Sequence, residues 1–369
     1  MLEEDGLAFT KFEWSILPKD PNDRLFGTLV SSSVKLEDCD VVLLGLPFDG
    51  ATLGRLGAAD GPRALRTALR NMKVHRFNGK PRPGMYKQGG SAKPASSSDP
   101  GASSVLFVPA PGDESSAGRP SDMGSEIKTR IVDLGDAVLP VSDVVRAHAE
   151  AEKAARCAKL LAKMCRNDNA RVISIGGDHS LTFPCAHTYL EEFREYLAVI
   201  NLDAHLDVRS VRTGEPFNSG TSFGRLMDHG LKTYVVVGAR DFQTSPHYIK
   251  RMESAGGRIF TANQVFSKGV EAVCREVLQS LPKRCEAIYL SVDMDVADAS
   301  VAPGVSAPTP GGLFAHQLLE MVSILSADPR LVSCDIMELA PRLEEPNSDR
   351  TARLAAGCLA HMLANFQTQ

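Results

Sequence analysis

The sequence predicts an α/β protein: a parallel sheet with helices on both faces and its functional groups at the carboxyl ends of the strands. Three observations carry this reading. Short apolar runs alternate along the chain with stretches of helical periodicity. Three of the runs end in acids or imidazoles: 171–175 leads into Gly176-Gly177-Asp178-His179-Ser180, 197–202 into Asp203-Ala204-His205-Leu206-Asp207, and 287–292 into Asp293-Met294-Asp295. Those places match the edge where open parallel sheets bind ligands.

Residues 1–38 read as an N-terminal extension, and 39–369 as a single catalytic domain. The first clear strand, 41–45, runs into a Gly-rich loop that lacks the Lys-Ser/Thr ending of a phosphate cradle, so it reads as a tight strand-to-helix turn. Gly61-Pro62 opens the next helix, with Pro in its first turn. Residues 79–125, rich in Gly, Ser and Pro around an apolar island at 105–108, read as an insertion. A strand follows at 131–135. Ser142 or Asp143 can cap a long helix with Val144, His148, Ala151, Ala155, Ala158 and Leu161 on one stripe. His148 there reads as a packed core residue rather than a ligand. Asn167-Asp168-Asn169 ends that helix. Beyond the central motif, 218–225 reads as a loop, 234–238 as a buried strand, 258–261 as an edge strand and 270–278 as a helix. The Pro-rich 302–308 is a rigid loop and 316–325 a helix. A last strand, 331–338, ends in Glu338, and Asp349 starts the final helix.

Side chains alternate along a strand, so Asp203, His205 and Asp207 are expected on one face, as are Asp293 and Asp295. With His179 they make six candidate metal ligands. Four carboxylates packed at strand ends repel one another strongly without cations. Two imidazoles and four carboxylates exceed the needs of one ion and suit two divalent cations. Oxygen-rich donors without thiolate favour Mn²⁺ over Zn²⁺.

Gly-Gly-Asp-His-Ser at 176–180, Asn-Leu-Asp-Ala-His-Leu-Asp at 201–207 and Ser-Val-Asp-Met-Asp at 291–295 resemble, in order and spacing, the three signatures of the arginase/agmatinase ureohydrolase family. The likeness runs from Val41 or thereabouts to the C-terminus. It implies a three-layer α/β/α sandwich around a mainly parallel eight-stranded sheet, two Mn²⁺ per subunit, and assembly into trimers or hexamers. It also implies that His179, Asp203, Asp207 and Asp293 hold one ion and that Asp203, His205, Asp293 and Asp295 hold the other. Two such cations, about 3.5 Å apart, can hold a bridging hydroxide that attacks a polarised amidine or guanidine carbon. By the same resemblance Asp207 and Glu338 are the catalytic carboxylates: Asp207 protonates the departing amine, and Glu338 pairs with the cationic amidine or guanidine.

Arginases carry Asn where Arg209 stands and His where Phe223 aligns. The segments Ser219-Gly220-Thr221 and 303–308 are instead similar to formiminoglutamases. The reaction this implies is hydrolysis of N-formimino-L-glutamate to L-glutamate and formamide, a step of histidine degradation. Glu338 would meet the amidine, and Arg209, Ser219, Gly220 and Thr221 the anionic tail. On a continued strand Arg209 would face the same way as Asp207. A buried Arg beside acids is costly unless it meets an anion, and its fork suits a carboxylate. Arg212 and Arg225 are further candidates for a second carboxylate. The alternatives are a ureohydrolase of arginase, agmatinase or guanidinobutyrase type, a non-catalytic homologue, and a single-Zn²⁺ lysine deacylase, which His205 and Asp295 fit less well.

Composition narrows the partners. The net charge of −4 is scattered, which argues against nucleic acid. Apolar runs fall far short of a membrane span, and the acidic start lacks a signal-peptide pattern. The eight dispersed cysteines, without a Cys-x-x-Cys pair, read as reduced thiols of a cytoplasmic protein.

Overall fold

The computed structural model describes residues 7–76, 124–166, 170–211 and 216–366, apart from 17, 21, 32 and 33. The helix stop at 167–169, Arg212 and nearly all of the 79–125 insertion, with its apolar island, lie outside the described residues. Contacts divide the chain into one unit of Met1–Val74 with Lys128–Gln369 and another of His75–Ile127.

The larger unit holds a nine-stranded sheet. In chain order its strands are β1 (Phe9–Thr10), β2 (Val41–Leu46), β5 (Ile131–Ala137), β6 (Arg171–Gly176), β7 (Leu197–Leu202), β8 (Thr233–Ala239), β9 (Arg258–Thr261), β10 (Ala287–Asp293) and β11 (Leu331–Met337). In the smaller unit β3 (His75–Arg76) pairs antiparallel with β4 (Ser125–Glu126). The sheet order is β1-β5-β2-β6-β11-β10-β7-β8-β9. Eight strands run parallel, as expected. The ninth, β1, adds two residues antiparallel to the edge, Phe9 opposite Ala137 and Thr10 opposite Asp136. Every residue of β2, β7, β8 and β10 is buried, as strands covered on both faces require.

Two helical layers cover those faces. On one, α3 (Val144–Met164), α4 (Thr182–Phe193) and α5 (Ser222–Asp228) pack in succession. Val42, Leu44 and Val199 join their core. On the other, α2 (Gly61–Arg70) packs on α10 (Arg350–Asn365), α10 on α9 (Ala315–Leu325), and α9 on α8 (Val270–Ser280). Asp143, not Ser142, caps α3 by accepting the Arg146 N–H. His148, Ala151, Ala155, Ala158 and Leu161 are buried along its stripe. Arg66 of α2 is wholly buried and donates two 2.8 Å hydrogen bonds to Asp133 of β5, with Asp136 as a further partner. Two carboxylates offset the cost of burying that guanidinium.

Three expectations change. The 218–225 stretch is a 3-10 turn at Ser219–Thr221 running into α5, because Asn218 and Thr221 form a capping box there. β7 stops at Leu202, so the residues after it are not strand. Cys39 and Cys165 are joined in a disulfide, Cα–Cα 5.9 Å, whereas Cys185, Cys274, Cys285, Cys334 and Cys358 are free. The 126-residue separation hides this pair from sequence; α3 folds back against β2 and brings its end to the foot of that strand. Among the described residues no helix is long and apolar enough to cross a membrane.

Candidate metal centre

β6, β11, β10 and β7 are neighbours in the sheet, so their carboxyl ends open onto one place. There each motif makes the same local turn. Asp178 Oδ1 accepts the Ser180 N–H at 3.0 Å, Asp203 Oδ1 the His205 N–H at 2.6 Å, and Asp293 Oδ1 the Asp295 N–H at 2.7 Å. These Asx turns, rather than strand alternation, aim the side chains. Asp207 lies beyond the first turn with φ +48°, and its carbonyl accepts N–H groups from Phe223 and Gly224 at the start of α5.

His179 Nδ1 faces Asp293 Oδ2 at 2.9 Å, Asp207 Oδ2 at 3.0 Å and Asp203 Oδ2 at 3.3 Å. His205 Nδ1 faces Asp295 Oδ2 at 3.1 Å and Asp203 Oδ1 at 3.4 Å. The donors therefore form two sets, each within 4.8 Å: His179, Asp203, Asp207 and Asp293, and Asp203, His205 and Asp295. Asp203 gives one oxygen to each. Asp293 groups with the first set, and its Oδ1, like Asp203 Oδ1, also accepts a backbone N–H.

The residues fit divalent cations on a specific observation. His179 Nε2 lies 3.0 Å from Ser291 Oγ, which donates to Asp335 Oδ1 at 2.5 Å. Nδ1 is buried among three carboxylates and makes a hydrogen bond to none of them. A histidine anchored through one nitrogen, with the other free and facing oxygens, is arranged as a metal ligand. No thiolate joins either set. Electrostatics point the same way. Burial, with Asp295 and Asp203 nearby, raises the Asp293 pKa well above the usual range. Burial works against charge on His205, yet Asp295 and Asp203 lift it to about 12. Cations entering here would relieve the carboxylate repulsion and displace those protons.

Other groups hold the turns. Asn201 Nδ2 donates to Asp203 Oδ2 at 2.8 Å. Arg240 is buried and donates to the carbonyls of Asp295, Val296 and Ala297, which fixes the turn carrying Asp295. Phe223 stacks on Tyr234 and meets the His179 ring edge-on at 5.3 Å. Glu338 sits past the end of β11 with φ +65°; its Oε1 accepts the His179 N–H at 2.8 Å, and its Oε2 accepts the Ser306 hydroxyl. Burial, then Asp178, pushes the Glu338 pKa up to about 8.

Above the donors lies a cavity of ≈ 170 Å³. His205, Asp207, Asp293, Asp295 and Glu338 line it together with Arg209, Ser219 and Gly220. Arg209 is exposed rather than buried, because the chain leaves strand geometry after Leu202 and the Arg209 N–H donates to the Gly220 carbonyl at 2.8 Å. Its guanidinium lies 5.6 Å from the Tyr248 ring centroid, and no carboxylate of the described residues pairs with it. A Cβ on Gly220 would come within 2.8 Å of Arg209 Cδ, so a larger residue there would push the Arg209 side chain aside. Thr221 does not line the cavity; it is buried, and its hydroxyl donates to the Asn218 carbonyl at 2.7 Å. Arg225 also points elsewhere, into the α3–α4 layer. Sequence reasoning missed Gln243, Thr244 and Tyr248, which line the same cavity. Their position just after β8 at the carboxyl edge was the available signal.

A parallel sheet that delivers two overlapping nitrogen and oxygen donor sets to a small cavity defines a binuclear metallohydrolase. The arginase family pattern matches residues 39–88 and 112–364, and the chain belongs to the arginase family. Formimidoylglutamase of Halobacterium salinarum is 34% identical over 361 residues, covering 96% of this chain and 98% of that one. Formimidoylglutamase of Bacillus subtilis is 31% identical over 251 residues, 67% of this chain and 76% of that one. Two solved structures share the fold. Proclavaminate amidinohydrolase of Streptomyces clavuligerus superposes with TM-score 0.66 at 26% identity, covering 89% of this chain and 92% of that one. Formiminoglutamase of Trypanosoma cruzi with Mn²⁺ superposes with TM-score 0.72 at 24% identity, covering 94% and 99%.

Proposed function

We propose that this protein hydrolyses N-formimino-L-glutamate to L-glutamate and formamide, with two Mn²⁺ per subunit. One observation carries the reading: Asp203 joins two cation-ready donor sets whose members His205, Asp207, Asp293 and Asp295 line a small cavity, and Arg209, which pairs with no carboxylate of the described residues, lines the same cavity. Likeness to formimidoylglutamases over nearly the whole chain supports it. When bound, the cations supply Lewis acidity and a water whose pKa falls to about 7. The chain's own residues do the rest. Glu338, held by the His179 N–H and the Ser306 hydroxyl, turns charge toward the cavity and receives the amidinium N–H groups. Arg209, resting on Tyr248 and close against Gly220, takes a tail carboxylate; Ser219 and Gly220 shape that wall. Water oxygen ends on the formimino carbon, the bond from that carbon to the glutamate nitrogen breaks, and Asp207 passes a proton to the departing amine.

A substrate panel tests this on Mn²⁺-loaded protein. Formamide from N-formimino-L-glutamate is the expected product. Urea from arginine, agmatine or guanidinobutyrate, with no formamide, overturns the substrate assignment. Arg209→Ala should raise KM about 10- to 100-fold with kcat little changed, the scale of one hydrogen bond between charged groups. An unchanged KM removes Arg209 from the tail site.

The substrate is a small anion, so neither nucleic acid nor a membrane is a partner. We assign the protein to the cytoplasm on the free thiols of Cys185, Cys274, Cys285, Cys334 and Cys358, a setting that keeps most thiols reduced. Trimers or hexamers, as in the family, are the expected assembly, and light scattering measures it.

A further inference from the structure

Arg225 is an unusual residue to find inside a helical layer. It is 9% exposed, its guanidinium sits between Phe183 and Phe217 at 3.5 and 3.6 Å from the ring centroids, and no carboxylate of the described residues lies at ion-pair distance. Its Nη1 instead meets His148 Nδ1 at 3.0 Å. A guanidinium can only donate, so Nδ1 must accept. That leaves the His148 proton on Nε2, which lies 2.9 Å from Ser180 Oγ. The Ser180 hydroxyl receives that proton's hydrogen bond, and the same residue's backbone N–H donates to Asp178 Oδ1 at 3.0 Å. Asp178 is fully buried; its Oδ1 accepts the Ser180 N–H and its Oδ2 the Ala51 N–H at 2.9 Å. Burial, reinforced by Arg225, depresses the His148 pKa to about 3, so the ring is neutral, as the hydrogen bonds require.

These contacts form one directed series from guanidinium to imidazole to the Ser180 hydroxyl, and the Ser180 backbone N–H carries it to the Asp178 carboxylate. A buried cation is joined through a neutral ring to the residue that holds a buried carboxylate. The series ends on the turn 178–180. That turn carries His179, and the same residue's N–H holds Glu338. Ser222 holds it from another side, donating to the His179 carbonyl at 2.6 Å.

We propose that His148 and Arg225 are positioning residues for the metal centre: by fixing the direction of hydrogen bonding into Ser180, they hold the His179 turn in its metal-ligating geometry. The inference rests on the metal reading given above, but not on the choice of substrate. Neither residue touches the cavity. Both act from α3 and α5, across the layer behind the sheet edge.

The test is Mn²⁺ binding to metal-free protein, followed by electron paramagnetic resonance, with circular dichroism to check the fold. His148→Phe keeps a ring and removes both hydrogen bonds. His148→Gln restores their polarity, since its carbonyl can accept from Arg225 and its amide can donate to Ser180. The expected result is Mn²⁺ affinity weakened about 10-fold or more in His148→Phe, in line with groups that support a ligand, and recovered to within about threefold in His148→Gln. A role in packing alone would not separate the two variants. Should His148→Phe fail to fold, Arg225→Met keeps an apolar stem between the Phe rings and removes the donor; it should weaken Mn²⁺ in the same direction. Wild-type affinity in folded His148→Phe or Arg225→Met overturns the inference, as does equal loss in the Phe and Gln variants. Wild-type protein that takes up no Mn²⁺ overturns the metal reading and this inference together. A failed substrate panel leaves the binding result standing.

Discussion

Asp203→Asn is expected to lower formamide production by at least about 10³-fold, equivalent to roughly 4 kcal/mol, and to reduce bound Mn²⁺ below two per subunit. Asp203 is the residue that belongs to both donor sets. Its Oδ2 faces His179 and its Oδ1 faces His205. Asparagine keeps the shape but offers one neutral oxygen in place of two that share a charge, so it cannot serve both positions. The fold should survive. Asp203 is held by the Asn201 amide and the His205 N–H, and one amide oxygen can still accept one of them. Metal analysis and turnover are read on the same preparation. Full metal content with wild-type activity would mean that Asp203 bridges nothing.

Glu338→Gln should lower kcat/KM by about 10²- to 10³-fold while leaving bound Mn²⁺ unchanged, the range found when one preorganised electrostatic group is lost. Two roles for this carboxylate must be separated. It braces the His179 turn through the N–H it accepts, and it presents charge to the cavity. Glutamine can still accept that N–H through its carbonyl, so the brace persists and only the charge is lost. A loss under about threefold would reduce Glu338 to a brace. The pH dependence follows in sign. Burial and Asp178 raise its pKa to about 8, so the ionised form that pairs with an amidinium dominates above that pH and is lost below it. Nearby cations pull the midpoint down. The acid limb of kcat/KM should therefore lie at or below about pH 8 and vanish in the Gln variant. The backbone at Glu338, with φ +65°, is strained for a non-glycine residue, and the Glu338 N–H donation to the Gly177 carbonyl at 2.8 Å holds it in place.

Much of the centre was legible because its determinants are local. Apolar runs mark buried parallel strands, and an Asp two residues ahead of a ligand makes its own turn whatever surrounds it. His179, Asp203, His205, Asp207, Asp293 and Asp295 therefore stood out from composition and spacing alone, and the structure brings all six together. The expected reason was partly mistaken. Strand alternation was invoked for 203–207, yet β7 ends at Leu202 and side-chain-to-backbone hydrogen bonds take over. Arg209 reaches the cavity for a related reason: the Gly220 carbonyl, not a continuing strand, sets its place.

The sequence by itself determined the chemistry on offer: which strands are buried, which acids and imidazoles stand at their ends, and which family that pattern resembles. Only the tertiary structure decided how those groups are divided. The sheet order, which no local signal encodes, makes β6, β11, β10 and β7 neighbours, and so gives Asp203 to both donor sets and Asp293 to one. The same long-range packing placed Gln243, Thr244 and Tyr248 on the cavity wall and joined Cys39 to Cys165. Periodicity and turn chemistry act over a few residues and can be read from the chain. Which strand ends meet depends on burying both faces of one sheet at once, and that is settled only when the whole core assembles.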